Sequence, residues 1–290
     1  MAEKKKKKKR NISFTIGAVL VIIVIVIFII SLIYMPHDPN LMNLTQKFLK
    51  PGENEMFRLG TDHFGRDILS RLMYGARQVL LVGVVSVAIG AVVGFVLGSI
   101  AGLFKGLPSQ IIMRVMDGLI SFPSILLAMM MITIIGKGTR GSIVAVALFM
   151  VPSFARLVYS LILDNKDLLF VKAARSYGMT NRQILFKHLV PIILPRLITQ
   201  FTASIGAAII IETSLSFLGL GVQAPNASWG LMLADARKNF LVYPYLAYAP
   251  GIAIAITVLG FNLLGDGLNE VLLNKKREKI SFIKKRRTSK

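Results

Sequence analysis

Few side chains in this sequence are spaced to do chemistry. The three histidines, His37, His63 and His188, are scattered, with no histidine–glutamate–histidine spacing that would hold zinc on one helix face. Cysteine is absent, which removes a thiolate metal ligand, a thiol nucleophile and a disulfide framework. Gly136-Lys137-Gly138-Thr139 has the residue types of a phosphate loop. It lacks the order of two separated glycines, lysine and hydroxyl that wraps backbone amides around a phosphate, and it falls between two apolar runs. The chain itself is therefore not expected to hydrolyse ATP, to bind a cofactor or to hold a metal. Asn226-Ala227-Ser228 matches a glycosylation acceptor, a pattern short enough to arise by chance.

Glu212 is a different matter. It sits in an apolar run near its outer end, and an ionisable group at membrane depth is costly unless paired or used. One reading makes Glu212, with Ser214, part of a translocation path. The other is a carboxylate that reaches the interface or makes a structural hydrogen bond. Arg114 and Asp117 lie one helical turn apart as a candidate ion pair.

The longest polar interruption of the apolar second half is Lys166 to Pro191, and it reads as two short helices. Phe170, Ala173, Ala174 and Tyr177 recur at helical spacing, with Lys172 and Arg175 off that face. Gly178 ends the first helix, since glycine accepts the left-handed backbone of a helix terminus. Thr180 and Gln183 have capping-box spacing, and Met179 with Ile184 is placed for a hydrophobic staple. Ile184, Leu185, His188 and Leu189 continue the second helix to Pro191. The apolar faces either lie against the protein's own spans or dock on a partner.

These segments are positioned by membrane spans. Of the 290 residues, 54% are hydrophobic and mean hydropathy is +0.65, a balance that argues against a soluble domain. Apolar runs fall at 12–35, 79–104, 111–135, 142–163, 192–218 and 245–273, each long enough to cross a bilayer. The predicted architecture is an all-α polytopic protein with six transmembrane helices. The first run is longer than the apolar core of a cleavable signal and no small-x-small site closes it, so it reads as a retained anchor. Its flanks are a basic tail at 1–11 and an external segment at 36–78, in which Ile68, Leu69, Leu72 and Met73 predict an amphipathic helix on the membrane surface. Residues 79–273 form the core, interrupted by the loop at 164–191, and a second basic tail occupies 274–290.

Within that core, Gly83, Gly90, Gly94, Gly98 and Gly102 form a ridge that lets another helix approach, either in this chain or in a second subunit. Pro123 predicts a kink. Trp229, Met232, Leu233 and Ala236 predict a short amphipathic helix, either an interfacial anchor or a platform for a substrate-delivering protein.

Charge gives the orientation. The net charge of +21 is concentrated in the two tails, where it meets anionic headgroups; without aromatic interleaving it does not point to nucleic acid. Of 35 Lys and Arg residues, about 25 fall on the side of both termini and the 164–191 loop and about 10 opposite. Both termini are thus expected in the cytoplasm.

A loop motif and four further motifs in chain order carry a family resemblance. Ala173-Ala174, Gly178 and Leu189-Val190-Pro191 resemble the cytoplasmic EAA loop of ATP-binding-cassette importer permeases, with Lys172 where a glutamate is usual. Gly60-Thr61-Asp62-His63-Phe64-Gly65-Arg66-Asp67 with Gly75-Ala76-Arg77 resembles the signature before the second span in the dipeptide/oligopeptide/nickel branch. Glu212 to Gly221, Trp229-Gly230 and Gly265-Asp266-Gly267-Leu268 are similarly typical of it. The chain most resembles the C-type permease of dipeptide and oligopeptide systems.

The resemblance implies a type I importer permease fold in a bacterial inner membrane. It also implies a second related permease, two cytoplasmic ATPases that use ATP and Mg, and an extracytoplasmic substrate-binding protein. Phe170, Lys172, Ala173, Ala174, Arg175, Gly178 and Pro191 would then couple to the ATPases. Peptides are the leading cargo and nickel or a metal chelate the alternative. A secondary transporter, or an assembly subunit without a path, are the rivals from other classes.

Overall fold

The computed structural model describes residues 12–288, with side chains through 272. The N-terminal basic tail and the side chains of the C-terminal one lie outside the described residues. Ten α-helices follow in order: α1 (Ile12–Ile33), α2 (Ile68–Leu103), α3 (Leu107–Ser121), α4 (Ser124–Ile135), α5 (Thr139–Asn165), α6 (Leu169–Ser176), α7 (Asn181–Ile184), α8 (Val190–Phe217), α9 (Trp229–Arg237) and α10 (Tyr245–Thr288). Among the described residues five helical runs are long and apolar enough to cross a membrane, six if α3 with α4, bent by 100° at its break, counts as one span.

That bend is sharper than a proline kink. Proline disfavours helical backbone in the residue before it, and both Phe122 (ψ 137°) and Pro123 (ψ 130°) are extended. The chain therefore leaves one helix and starts another. Arg114 and Asp117, expected to pair, do not: Asp117 Oδ1 accepts instead from Arg156 Nη2 of α5 at 2.6 Å. The turn beyond the expected partner is met by a neighbouring helix that reaches closer.

α2 begins earlier than its apolar run. The amphipathic surface helix expected near Ile68 is instead the first turns of the span. Asp67 caps it, accepting from the amides of Leu69 and Ser70, a contact worth about 1 kcal/mol. Two basic residues of these first turns find partners inside the fold: Arg71 Nη1 donates to the Pro39 carbonyl at 2.9 Å and Arg77 Nε to Ser31 Oγ at 2.9 Å.

The glycine ridge on α2 is filled by this chain. A methyl group at Gly94 would lie 2.6 Å from Phe154 Cβ and 2.7 Å from the Val151 carbonyl oxygen, and one at Gly98 2.4 Å from the Ala155 carbonyl oxygen. In lipid, helices gain little from excluding water, so close van der Waals approach of this kind carries the packing of α2 on α5. α1 packs on α10, and α10 and α2 both pack on α8.

The bundle has two distinct ends. At one, the α1–α2 loop, the α4–α5 turn and α9 gather: Trp229 Nε1 donates to the Leu72 carbonyl and the Gly138 amide to that of Leu220. Trp229, Met232 and Ala236 face the core there, so the stripe on α9 is covered by its own protein. At the other end Lys166 Nζ donates to the Gly102 carbonyl, closing α5 on α2, and α6 and α7 follow.

Candidate coupling and path sites

The helix pair after α5 is built around a left-handed turn. Gly178 has φ +81°; its amide donates to the Arg175 carbonyl, and the Met179 amide to that of Ala174. These two bonds are the Schellman pattern that satisfies the last carbonyls of a helix. The next helix starts on a complete capping box, with Thr180 Oγ1 accepting from the Gln183 amide and Gln183 Oε1 from the Thr180 amide. The angle between the short helices is thus fixed by backbone geometry on both sides of one glycine.

Burial divides the pair into an anchored face and a bare one. Val171 is buried against Val158, Ile162, Ile184, Leu185, Leu189 and Ile193, with Met179 packed on the same cluster, and Ala174 is buried too. Leu169 is 86% exposed, Tyr177 89% and Phe170 43%. The expected apolar face therefore splits, with Ala174 inward and Phe170, Ala173 and Tyr177 outward. Val171 is the inward residue that the sequence reading passed over; it lies three before Ala174, and that spacing is the signal that could have found it. Lys172 and Arg175 are exposed, and Lys172 Nζ lies 3.8 Å from Asp167 Oδ1.

Pro191 does not end the second helix. Residues Leu185–Leu189 form a π turn, in which the Val190 amide bonds to the Leu185 carbonyl, and helix continues through Pro191 into α8. Having no N–H to place, proline is tolerated at that start.

Glu212 and Ser214 point apart. Glu212 is fully buried and accepts from Ser216 Oγ at 2.7 Å through Oε1, while Oε2 has no hydrogen-bond partner among the described residues. Ser216 Oγ also accepts the Val222 amide, tying α8 to the loop before α9. Ser214 Oγ, on a different face, donates to the Ile210 carbonyl.

The sequence reading did not assemble the ionic cluster at the α9 end. Asp62 accepts from Arg66 Nε at 2.6 Å, Arg71 Nε lies 3.7 Å from the same carboxylate, and Arg66 Nη2 reaches Asp235 of α9 at 3.4 Å. His63 stands beside them. Burial pushes its imidazole below the ordinary 6.5, with Asp235 and Asp62 opposing and Arg66 and Lys238 adding to the shift.

Five apolar spans, or six with the bent pair, an exposed helix pair at one end and a clamped loop at the other define a polytopic helical membrane protein. Residues 94–278 match the family described as the binding-protein-dependent transport system inner membrane component. The chain belongs to that family and is a permease subunit of an ATP-binding-cassette importer, of the dipeptide/oligopeptide/nickel type.

Among its relatives, the chain is 42% identical over 224 residues to a glutathione transport system permease protein of Pectobacterium atrosepticum, covering 77% of this chain and 74% of that one. Its counterpart in Escherichia coli is 45% identical over the same shares. The fold is similar to inward-facing structures of the MetNI methionine ABC transporter. In two crystal forms the TM-scores are 0.57 and 0.58 at 21% and 20% identity, covering 67% and 71% of this chain and 93% and 97% of those.

Proposed function

We propose that this subunit forms half of an import path for small peptides and that α6, Gly178 and α7 are the handle by which separate ATPases move it. The observation that carries this reading is the bare apolar surface of Leu169, Phe170, Ala173 and Tyr177 on a helix whose opposite side is anchored by Val171 and Ala174. A water-facing surface of that kind needs a cover. Lys172, Arg175 and Pro191 belong to the same proposed element, and the free energy comes from ATP and Mg bound by the partners. When the ATPase pair closes, a docked helix held at a fixed angle transmits the displacement into α8.

The remaining assembly follows from the family: a second permease, two ATPase subunits and an extracytoplasmic binding protein. The excess of basic residues beside the handle supports a cytoplasmic location for it and for both termini in a bacterial inner membrane. The relatives named for glutathione transport favour a peptide cargo over nickel. Glu212 is sealed from solvent, so a part in the path requires the subunit to open around it.

Cross-linking tests the docking. The chain has no cysteine, so Tyr177→Cys gives a single thiol for a short bifunctional reagent in the complex purified with its ATPases. The expected product joins this chain to an ATPase. A thiol that reacts from outside the cell, or that stays unjoined in the intact complex, overturns the reading.

A further inference from the structure

Polar side chains of α5 and α8 gather beside the α3–α4 break. Ser153 and Arg156 of α5 and Gln200 and Ser204 of α8 meet across one cavity of about 750 Å³ beside the α3–α4 break. Gln200 Nε2 donates to Ser153 Oγ at 3.1 Å and to Ser204 Oγ at 3.3 Å. Arg156 is half-exposed, and its partner Asp117 stands equally exposed at 2.6 Å. In hydrocarbon, an amide, two hydroxyls and an ion pair would be expensive on a lipid-facing surface; they belong where water or a hydrophilic molecule passes. Neither Glu212 nor Ser214 borders this space.

We infer that the cavity is this subunit's share of the cargo path, with cargo passing against Ser153, Gln200 and Ser204, and that Arg156 receives the carboxylate of a small peptide. The inference rests on the importer reading above and adds a place and a chemistry to it. The volume is that of a site for a molecule of drug or tripeptide size. Neutral hydrogen-bonding groups suit a peptide backbone of any sequence. A guanidinium offers a carboxylate two parallel N–H donors, and a cargo carboxylate at Arg156 takes the position that Asp117 holds here. The α3–α4 break leaves room at that level because the chain turns away from the straight line of a span.

Absence of cysteine makes the test direct. Single variants Ser153→Cys, Gln200→Cys and Ala207→Cys, all lining the cavity, are compared in the complete reconstituted importer with Ile22→Cys and Ile252→Cys, exposed apolar positions elsewhere. The probe is a charged, water-requiring methanethiosulfonate, read by mass on this chain. Labelling of the cavity positions at least tenfold faster than the other two is expected, slowed severalfold by S-methylglutathione and not by its dimethyl ester. Arg156→Gln should erase that difference between acid and ester, and Arg156→Lys should keep part of it. Equal labelling at all five positions overturns the path, and equal protection by acid and ester overturns the role of Arg156. If the ATPases fail to copurify at all, it is the importer reading that falls instead.

Discussion

Gly178 offers a substitution series whose outcomes separate backbone strain from bulk. No heavy atom lies within 4 Å of where its Cβ would stand, and its φ is +81°. A methyl group there would meet nothing beyond its chain neighbours, so the cost of alanine is conformational. Left-handed backbone costs a residue with a Cβ roughly 1–2 kcal/mol. Asparagine tolerates the region best and a β-branched residue worst.

Since 1.4 kcal/mol is a factor of ten in an equilibrium, Gly178→Ala should lower the equilibrium constant for the fixed turn by about tenfold and Gly178→Val by more. Gly178→Asn should stay near the parent. The assay is ATPase activity of the reconstituted importer stimulated by loaded binding protein, divided by its unstimulated rate, with complex yield measured alongside. Stimulation should fall in the order Asn, Ala, Val, and Val should lose nearly all of it. Full stimulation in Gly178→Val would refute the argument, and so would equal damage from Asn and Val, which would point to crowding in a cleft.

Three further outcomes are expected. Gly98→Ala should destabilise the subunit by about 1–3 kcal/mol through overpacking against α5, whereas Gly118→Ala, with nothing within 4 Å, should be neutral or better; thermal unfolding in detergent compares them. Glu212→Gln should lower uptake while leaving membrane insertion intact, and unchanged uptake would retire Glu212 from the path. His63, neutral and held below 6.5 in the folded chain, takes up its proton more readily once unfolded. Its contribution is present above pH 6.5 and lost as pH falls through the lowered value, so proteolysis of the α1–α2 loop should quicken on acidification and His63→Gln should flatten that dependence.

The crossings were readable because uninterrupted apolar length is a strong signal, and the helix pair because glycine and a capping box are local chemistry. What escaped depended on distant residues. Ile68, Leu69, Leu72 and Met73 made the start of α2 resemble a surface helix, since nothing nearby in sequence reveals that Pro39 and Ser31 receive Arg71 and Arg77. Asp117 was matched to the nearer Arg114 because one helix can be judged from its own spacing, whereas Arg156 reaches it only after α3 and α5 pack. Gln200 and Ser153 are unremarkable letters 47 positions apart, and only packing turns them into one polar wall. Phe170 and Val171 are adjacent and both stand at helical spacing from Ala174, so the signal for Val171 was present but shared with its neighbour.

The wide turn at Leu185–Leu189 sets the angular phase between two machines on one shaft. Asn181–Phe217 runs as a single 37-residue rod, with Thr180 capping one end and Gln200 midway along it. One residue corresponds to roughly 100° of rotation about a helix axis. Removing a single letter from that turn would swing Gln200 off the cargo wall without altering any residue of the wall itself. Subunits of this kind cannot exchange their handles freely unless the splice preserves the twist.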